Sequence, residues 1–342
     1  MIDIASGNER SGATFTPEGD ANSGLMTYIE NFAASEHHAG GGVCEGTMVR
    51  KEGPTQPGLC KHWGIKIICT LSASLVALGT AMAEPRWQAL PDTPELPAGG
   101  HEGEAPINGV KIWYAVYGSG DPVIMLHGGL GNSNYWGNQI PALAGSYQVI
   151  VVDSRGHGRS TRDGQPYSYD LMASDVVALM DFLKLPKAAI IGWSDGAIIG
   201  LKLAIDKPAR VRKLFAFAPN SKPSGLADLS KSKTFKEYEL RTEREYEKLS
   251  ATPDGYKDFY AELNKMWTSQ PDLTAEALGS IRVPVWVVDG DHDDVVTRED
   301  TLFIANHIPW SGLLIQPEVG HFSLIQDPDR FSDDILHFLQ RD

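Results

Sequence analysis

The chain has 342 residues, of which 42% are hydrophobic, and it carries a formal net charge of -14 at pH 7. This composition is that of a globular protein with enough apolar residues for a large core. The acidic balance argues against nucleic acid as a partner, because phosphate binding relies on clustered Lys and Arg, and it gives no reason to expect binding to an anionic membrane surface.

The N-terminal part of the chain is predicted to be a leader in two pieces. Residues 1–47 are polar and Gly-rich without helical or strand periodicity, so we expect them to be disordered or not translated, with Met48 as the true start. Residues 48–83 are typical of a signal peptide: basic residues precede an apolar run at 67–79, and a small-x-small cleavage pattern ends at Ala83. The prediction is an exported protein without a stable membrane anchor. All cysteines lie in this leader, so no disulfide is expected after cleavage.

Residues 84–104 are rich in Pro and Gly and predict a linker. After it, short apolar runs alternate with helical patterns. The apolar runs are 110–117, 123–126, 148–152, 188–191, 214–218, 283–288 and 313–315, and the helical patterns between them are 170–183, 197–205 and 331–339. This alternation is typical of a mostly parallel, twisted sheet flanked by helices, in which functional groups gather beyond the carboxyl ends of the strands.

One interval interrupts the alternation. Residues 220–281 contain no strand pattern, and their helical segments are rich in charged residues. Because this interval is too long for a loop in a compact domain, we expect a helical cap inserted into a core formed by 105–219 and 282–342. The charges predict a solvated outer face. Trp267 is a candidate pocket residue, although packing within the cap also explains it.

A nucleophile is predicted at Ser194. The segment Gly192-Trp193-Ser194-Asp195-Gly196 fits the pattern G-x-S-x-G between a predicted strand and a predicted helix. A serine at such a junction needs a very sharp turn, which exposes its hydroxyl, and small residues on either side leave room for the backbone. The helix N-terminus behind it favours developing negative charge. This context favours a nucleophile over a purely structural turn.

A serine nucleophile needs a base, and the base needs an acid that orients it. His321 is the candidate base, because it lies between the last apolar run and the closing helix, whereas His307 and His337 fall within helical patterns. In an arrangement of this type the chain order is serine, acid, histidine. The acid is therefore expected between Ser194 and His321.

The candidate acids follow the apolar run 283–288. They are Asp289, Asp291, Asp293 and Asp294, with His292 among them. Asp293 is favoured, with Asp291 second and Asp294 third. A metal site is disfavoured, because neighbouring side chains on one turn cannot all converge on one ion and no second cluster accompanies them.

Two backbone N–H groups are needed to receive an oxyanion. Asp195, directly after the nucleophile, is expected to supply one. The other is expected from the loop at 127–130, with Gly129 preferred and Leu130 as the alternative. Leu130 and Trp193 flank these donors and are candidate substrate contacts.

Taken together, these segments resemble the α/β-hydrolase superfamily over residues 105–342. The matching motifs are HGGLGNS at 127–133, DSRGHGRS at 153–160, GWSDG at 192–196, GDHDD at 290–294 and GHFSLIQDP at 320–328. The resemblance implies the α/β-hydrolase fold, an oxyanion hole, no cofactor, and a catalytic triad of Ser194, His321 and Asp293. It also implies a structural role for the 153–160 segment.

The predicted function is hydrolysis of a small-molecule carboxylic ester through an acyl-enzyme intermediate. Superfamily members with an aspartate nucleophile, such as epoxide hydrolases and haloalkane dehalogenases, are disfavoured by Ser194. Lactonase, amidase and α-amino-acid ester hydrolase remain alternatives on the same triad. The last arises because GWSDG is similar to the elbow of valacyclovir hydrolase, which would make Asp195 an ammonium-binding residue. A catalytically silent ligand-binding protein of the same fold is the alternative from another class, and the oligomeric state stays open.

Overall fold

The computed structural model describes residues 84–341. The leader segments predicted at 1–47 and 48–83 lie outside the described residues, so the signal peptide and export stay predictions. Within the described range, no helix is both long enough and apolar enough to cross a membrane.

The described chain is organised around an eight-stranded sheet. Its strands are β1 (His101–Ile107), β2 (Val110–Tyr117), β3 (Asp121–Leu126), β4 (Tyr147–Val152), β5 (Ala188–Trp193), β6 (Val211–Phe217), β7 (Val285–Gly290) and β8 (Ser311–Gln316). They lie in the order β1-β2-β4-β3-β5-β6-β7-β8. β2 runs antiparallel to β1 and β4, whereas every other neighbouring pair is parallel. The predicted mostly parallel sheet is confirmed.

The described helices flank this sheet or belong to the interval between β6 and β7. They are α1 (Gln139–Ala144), α2 (Tyr169–Phe182), α3 (Asp195–Asp206), α4 (Lys233–Leu249), α5 (Tyr256–Trp267), α6 (Ala275–Gly279), α7 (Arg298–His307), α8 (Ser323–Gln326) and α9 (Pro328–Gln340). α2 begins where the Ser168 side chain accepts the Leu171 N–H, as expected of an N-cap. α9 buries Phe331, Ile335 and Phe338, which share one helical face.

The strand β1 was not predicted. It begins at His101, inside the range interpreted as a linker, and pairs along its whole length with β2. The connection is Asn108-Gly109, with φ of 45° and 84°. A two-residue turn of this type matches the twist of an antiparallel hairpin, so it fixes the pairing register.

The residues before β1 also contact the body of the protein. The Trp87 ring stacks on His292 with 3.9 Å between ring centroids. Gln326 Nε2 donates to the Ala89 carbonyl at 2.9 Å, and Arg241 on α4 donates to the Leu90 carbonyl at 2.8 Å. We call residues 86–91 the N-terminal strap, because they join the cap helix α4 to the loops beyond β7 and β8.

The interval between β6 and β7 is helical and contains α4, α5 and α6. α4 buries Thr234, Tyr238, Thr242 and Tyr246, one residue per turn, and its charged residues occupy the remaining positions. A helix with a single narrow buried stripe packs on one side only. Most of the charge run therefore covers the outer surface of the cap, whereas the buried stripe and Glu245 face the protein.

Candidate active site

Ser194 stands in a strained turn between β5 and α3. Its φ of 54° and ψ of -118° place a non-glycine residue in a region that side chains rarely adopt. A Cβ on Gly192 would overlap the backbone of Gly196 and Ala197, and a Cβ on Gly196 would overlap the carbonyl of Leu126. The two glycines therefore permit the sharp turn that the sequence indicated at this junction.

The turn opens into a cavity of about 410 Å³ between the strand ends and the cap. Ser194 and His321 both line it, and the predicted residues Gly129, Trp193, Asp195 and Trp267 do so as well. Most of the remaining lining is apolar or amide in character: Pro223, Leu226, Ala227, Leu229, Phe235, Tyr238 and Val295, with Asn220, Asn264 and Gln270.

Leu130 is not among the residues that line this cavity. The residue has a φ of 63° and is 3% exposed, and its side chain packs in the hydrophobic core. Its role as a substrate contact or as the alternative oxyanion donor stays a prediction.

His321 and Asp293 form a buried pair. Asp293 Oδ2 lies 2.8 Å from His321 Nδ1, and the two side chains are 1% and 3% exposed. Because Asp293 accepts at Nδ1, the neutral imidazole carries its proton there and presents Nε2 as an acceptor. Burial acts to raise the pKa of Asp293, but the charge and hydrogen bond of His321, together with hydrogen bonds from Asp289 and Val296, hold that pKa below its usual value.

The other acids of the 289–294 cluster have hydrogen-bond partners other than His321. Asp289 contacts Thr301 and Arg298 on α7, Asp291 contacts His292, and Asp294 lies beside the Thr234 hydroxyl. Asp293 is the member that reaches His321. Among the described residues, no group of three or more His, Cys, Asp or Glu side chains is arranged as a set of metal ligands.

Two backbone N–H groups near Ser194 have no backbone partner among the described residues. The N–H groups of Gly129 and Asp195 donate to no backbone acceptor in the described part of the chain. Asp195 is the first residue of α3, where the partial positive charge of the helix end favours an anion. The carbonyl of Gly129 accepts the Tyr238 hydroxyl at 2.7 Å, so a cap residue holds this loop in place.

The Asp195 side chain joins the turn at Ser194 to the cap. Its Oδ1 accepts the Tyr169 hydroxyl at 2.8 Å, and its Oδ2 accepts Trp267 Nε1 at 2.9 Å. A Cβ on Gly129 would stand 2.7 Å from the same Oδ2 and 2.5 Å from the Trp267 ring. Burial raises the pKa of Asp195, although both hydrogen bonds and the charge of His321 act in the opposite direction.

Comparison with known proteins agrees with this arrangement. Residues 121–255 match the α/β-hydrolase-fold family. The serine hydrolase BPHL of Homo sapiens is 30% identical over 257 residues, which cover 68% of this chain and 84% of that protein. The chain belongs to the α/β-hydrolase superfamily. Another α/β hydrolase, 3-oxoadipate enol-lactonase 2 of Acinetobacter baylyi, is 28% identical over 258 residues, covering 68% of this chain and 94% of that protein.

A solved structure extends this likeness to three dimensions. Est816, described as an N-acyl homoserine lactone degrading enzyme, is 28% identical to this α/β hydrolase with a TM-score of 0.56. The match covers 69% of this chain and all of that one. These relatives are hydrolases, and the present chain is therefore a hydrolase of the same superfamily.

Several residues that shape the site of this α/β hydrolase were missed by sequence reasoning. Tyr169 and Tyr238 bind Asp195 and Gly129 from α2 and α4, and no local pattern marks them. Trp193 was predicted as a substrate contact, but its Nε1 also donates to the His321 carbonyl at 2.9 Å. That bond connects Trp193 to the loop that carries His321. Nothing in the sequence around Trp193 indicated this contact.

Proposed function

We propose that this α/β hydrolase cleaves a carboxylic ester through an acyl-enzyme intermediate. One observation carries the proposal: the strained Ser194 opens into the same cavity as His321, whose Nδ1 lies 2.8 Å from the buried Asp293. A serine exposed by its backbone, beside an imidazole with a free Nε2, is the arrangement that activates a hydroxyl for attack on a carbonyl.

In the proposed mechanism, His321 Nε2 removes the proton of Ser194 as Oγ attacks the ester carbonyl. The N–H groups of Gly129 and Asp195 receive the oxyanion. The protonated His321 then gives its proton to the leaving alcohol, and the acyl group stays on Ser194. Water deprotonated by His321 releases the acid and restores the serine. Asp293 stays ionised throughout and stabilises the charged imidazole.

Hydrolysis of p-nitrophenyl esters of increasing acyl length tests this proposal, with Ser194→Ala measured beside the wild type. We expect kcat to fall by roughly four to six orders of magnitude in the variant, as in other serine triads. Ser230→Ala, in an exposed turn of the cap region, is a matched control that keeps full activity.

A fluorophosphonate probe separates this enzyme from a silent binding protein, because the reagent modifies only an activated serine. Labelling that disappears in Ser194→Ala supports the proposal. Ester turnover that survives this substitution contradicts it, and so does a wild type that neither turns over esters nor reacts with the probe.

A lactone is the second candidate substrate, since two relatives, each 28% identical to this chain, are named as lactone-cleaving enzymes. A lactone is a cyclic ester, so the same attack opens its ring and leaves the alcohol tethered to the acyl group. The apolar side chains of Leu226, Leu229 and Phe235 give the cavity a surface suited to an acyl chain. The two substrate classes are compared through kcat/KM for N-acyl homoserine lactones and for linear esters of equal acyl length. Both reactions are monitored by the release of acid, and the higher kcat/KM identifies the preferred class.

The contacts of Asp195 favour a substrate without an ammonium group near the scissile bond. Both of its oxygens already accept hydrogen bonds, one from Tyr169 and one from Trp267. An ammonium group would have to compete with these two donors for the carboxylate. We therefore expect a propionyl ester to be cleaved at least as fast as the matching alanyl ester, and a strong preference for the alanyl ester would overturn this assignment.

A further inference from the structure

Two acidic side chains lie against each other at the end of β7. Asp289 is the penultimate residue of that strand and is fully buried, and the Asp293 side chain is 1% exposed. Each of the two carboxyl groups affects the pKa of the other, as expected of neighbouring side chains. Ionised carboxylates only accept hydrogen bonds, so a bond between these two groups requires a proton on one of them.

The hydrogen bonds of Asp293 leave room for one more donor. Oδ1 accepts the N–H groups of Val295 and Val296 at 2.8 and 2.7 Å, and Oδ2 accepts His321 at 2.8 Å. A carboxylate has about four acceptor positions, so about one remains unused. A neighbouring O–H group has a place to bind.

Asp289 has an oxygen atom that lacks a hydrogen-bond partner when the carboxyl group is ionised. Its Oδ2 accepts the Thr301 hydroxyl at 2.7 Å and Arg298 at 3.2 Å. Its Oδ1 is buried and has no hydrogen-bond partner among the described residues if the group is ionised. An unpaired buried oxygen is costly, and a proton on Oδ1 converts it into a donor toward Asp293.

The surroundings decide which of the two acids holds the proton. Asp293 accepts from three donors, one of which is His321, whereas Asp289 has one short hydroxyl bond and a longer contact to a partly exposed Arg298. Burial and the neighbouring charge of Asp293 raise the pKa of Asp289 well above its usual value, while the pKa of Asp293 is lowered. The proton therefore belongs on Asp289.

We propose that Asp289 is a positioning residue whose protonated carboxyl donates a hydrogen bond to Asp293 and thereby fixes the acid that orients His321. This proposal rests on the proposed function, because it takes Asp293 as the acid of the triad. The bond holds the Asp293 carboxylate on the side away from the imidazole. It also withdraws part of the negative charge that Asp293 presents to His321. Arg298 and Thr301 are the other polar groups packed against Asp289.

Infrared difference spectroscopy at pH 7 tests the proton directly and needs no catalytic activity. We expect the wild-type spectrum minus that of Asp289→Asn to contain the carbonyl stretch of a buried carboxylic acid. The matched control is Asp291→Asn, in which a partly exposed acid paired with His292 is changed in the same way. Its difference spectrum is expected to show the loss of an ionised carboxylate. A carboxylate band instead of an acid band for Asp289→Asn overturns the proposal.

The pH dependence of kcat/KM tests the positioning role. In Asp289→Leu the donor is lost, Asp293 faces His321 with more of its charge, and protonated imidazole is stabilised. The acid limb of the profile is then expected to move up by up to about one pH unit, with kcat about tenfold lower. Asp289→Asn, whose amide N–H replaces the donor, is expected to restore the position of the limb.

Each outcome separates this proposal from the one on which it rests. A limb that moves equally in Asp289→Leu and Asp289→Asn, or in neither, overturns the positioning role. If Asp289→Leu does not fold, the infrared result for Asp289→Asn still decides where the proton lies. Activity that survives Ser194→Ala refutes the proposed function instead, whereas the acid band of Asp289 is unaffected by that failure.

Discussion

The two walls of the cavity are built from different parts of the chain. On the sheet side the main chain does the shaping, through the left-handed Ser194, the glycines on either side of it and the N–H groups at the start of α3. On the cap side the wall consists of side chains such as Phe235, Tyr238 and Trp267. The comparison teaches that the reacting geometry depends on backbone conformation, whereas the shape of the substrate pocket depends on side chains that can be exchanged.

The largest expected effect comes from adding a single methyl group to the sheet wall. In Gly196→Ala the new Cβ would overlap the Leu126 carbonyl, which belongs to the central strand β3 and cannot move away. We expect the free energy of unfolding to fall by about 3 kcal/mol or more and ester turnover to be lost.

Gly145→Ala is the matched control for that substitution. A Cβ at Gly145, which has an ordinary helical φ of -68°, meets no heavy atom within 4 Å. Its stability is expected to change by less than about 1 kcal/mol in urea denaturation. Equal losses in the two variants would contradict the view that the sheet wall is set by backbone contacts.

A smaller effect is expected on the cap wall. Trp267→Phe keeps an aromatic ring but removes the Nε1 donor to Asp195 and part of the cavity surface. We expect kcat/KM for long-chain esters to fall about tenfold and the preferred acyl length to change, while acetyl esters are less affected. Steady-state kinetics across the acyl series measures both quantities.

Tyr169→Phe separates the two functions of Trp267, which are the hydrogen bond to Asp195 and the contribution to the cavity surface. It removes the other donor to Asp195, but Tyr169 does not line the cavity, so the preferred acyl length is expected to stay the same. If both variants shift the length preference alike, the effect comes through Asp195 and not through the shape of the cap.

The smallest effect concerns a cap carboxyl away from the reacting groups. Glu245 on α4 accepts Asn132 Nδ2 at 3.0 Å and Thr93 at 2.5 Å, and burial raises its pKa above the ordinary value of 4.5. A raised folded pKa means that the folded state binds more protons. Its contribution to stability is therefore present below pH 4.5 and is lost as the pH rises through the raised value.

Glu245→Gln removes this titration. We expect the stability of the variant to change less between pH 4.5 and pH 7 than that of the wild type, by about 1 kcal/mol or less. Chemical denaturation at a series of pH values measures the slope, with the exposed Glu247→Gln as the control. Equal pH dependence of the free energy of unfolding in the wild type and in Glu245→Gln would show that Glu245 does not contribute to the pH dependence of stability.

The sheet side was also the more predictable of the two walls. Ser194 was located because a strand, a turn with small residues and a helix follow one another within a short segment. The segments that carry His321 and Asp293 were predicted because each follows a parallel strand, and the carboxyl ends of such strands meet at one edge. The choice of Asp293 among the four acids of its segment depended on the resemblance to the superfamily.

Features that depend on contacts between distant segments were not predictable in this way. Tyr169, Tyr238 and Asp289 acquire their partners only when the chain has folded, and each residue type has an ordinary packing explanation in its own segment. β1 is a different case, because Asn108-Gly109 is a hairpin signal that the sequence did contain. The strand itself was obscured by its charged, exposed residues and by the Pro-rich segment before it.

The N-terminal strap has a practical consequence for the boundaries of recombinant forms. Trimming the chain to the start of β1 would remove the ring stacked on His292 and the carbonyl groups that receive Gln326 and Arg241. The turn that carries Asp293 and the cap helix α4 would then both lose a support supplied by the same few residues. A form truncated in this way is expected to have both a looser cap and a less ordered turn at Asp293.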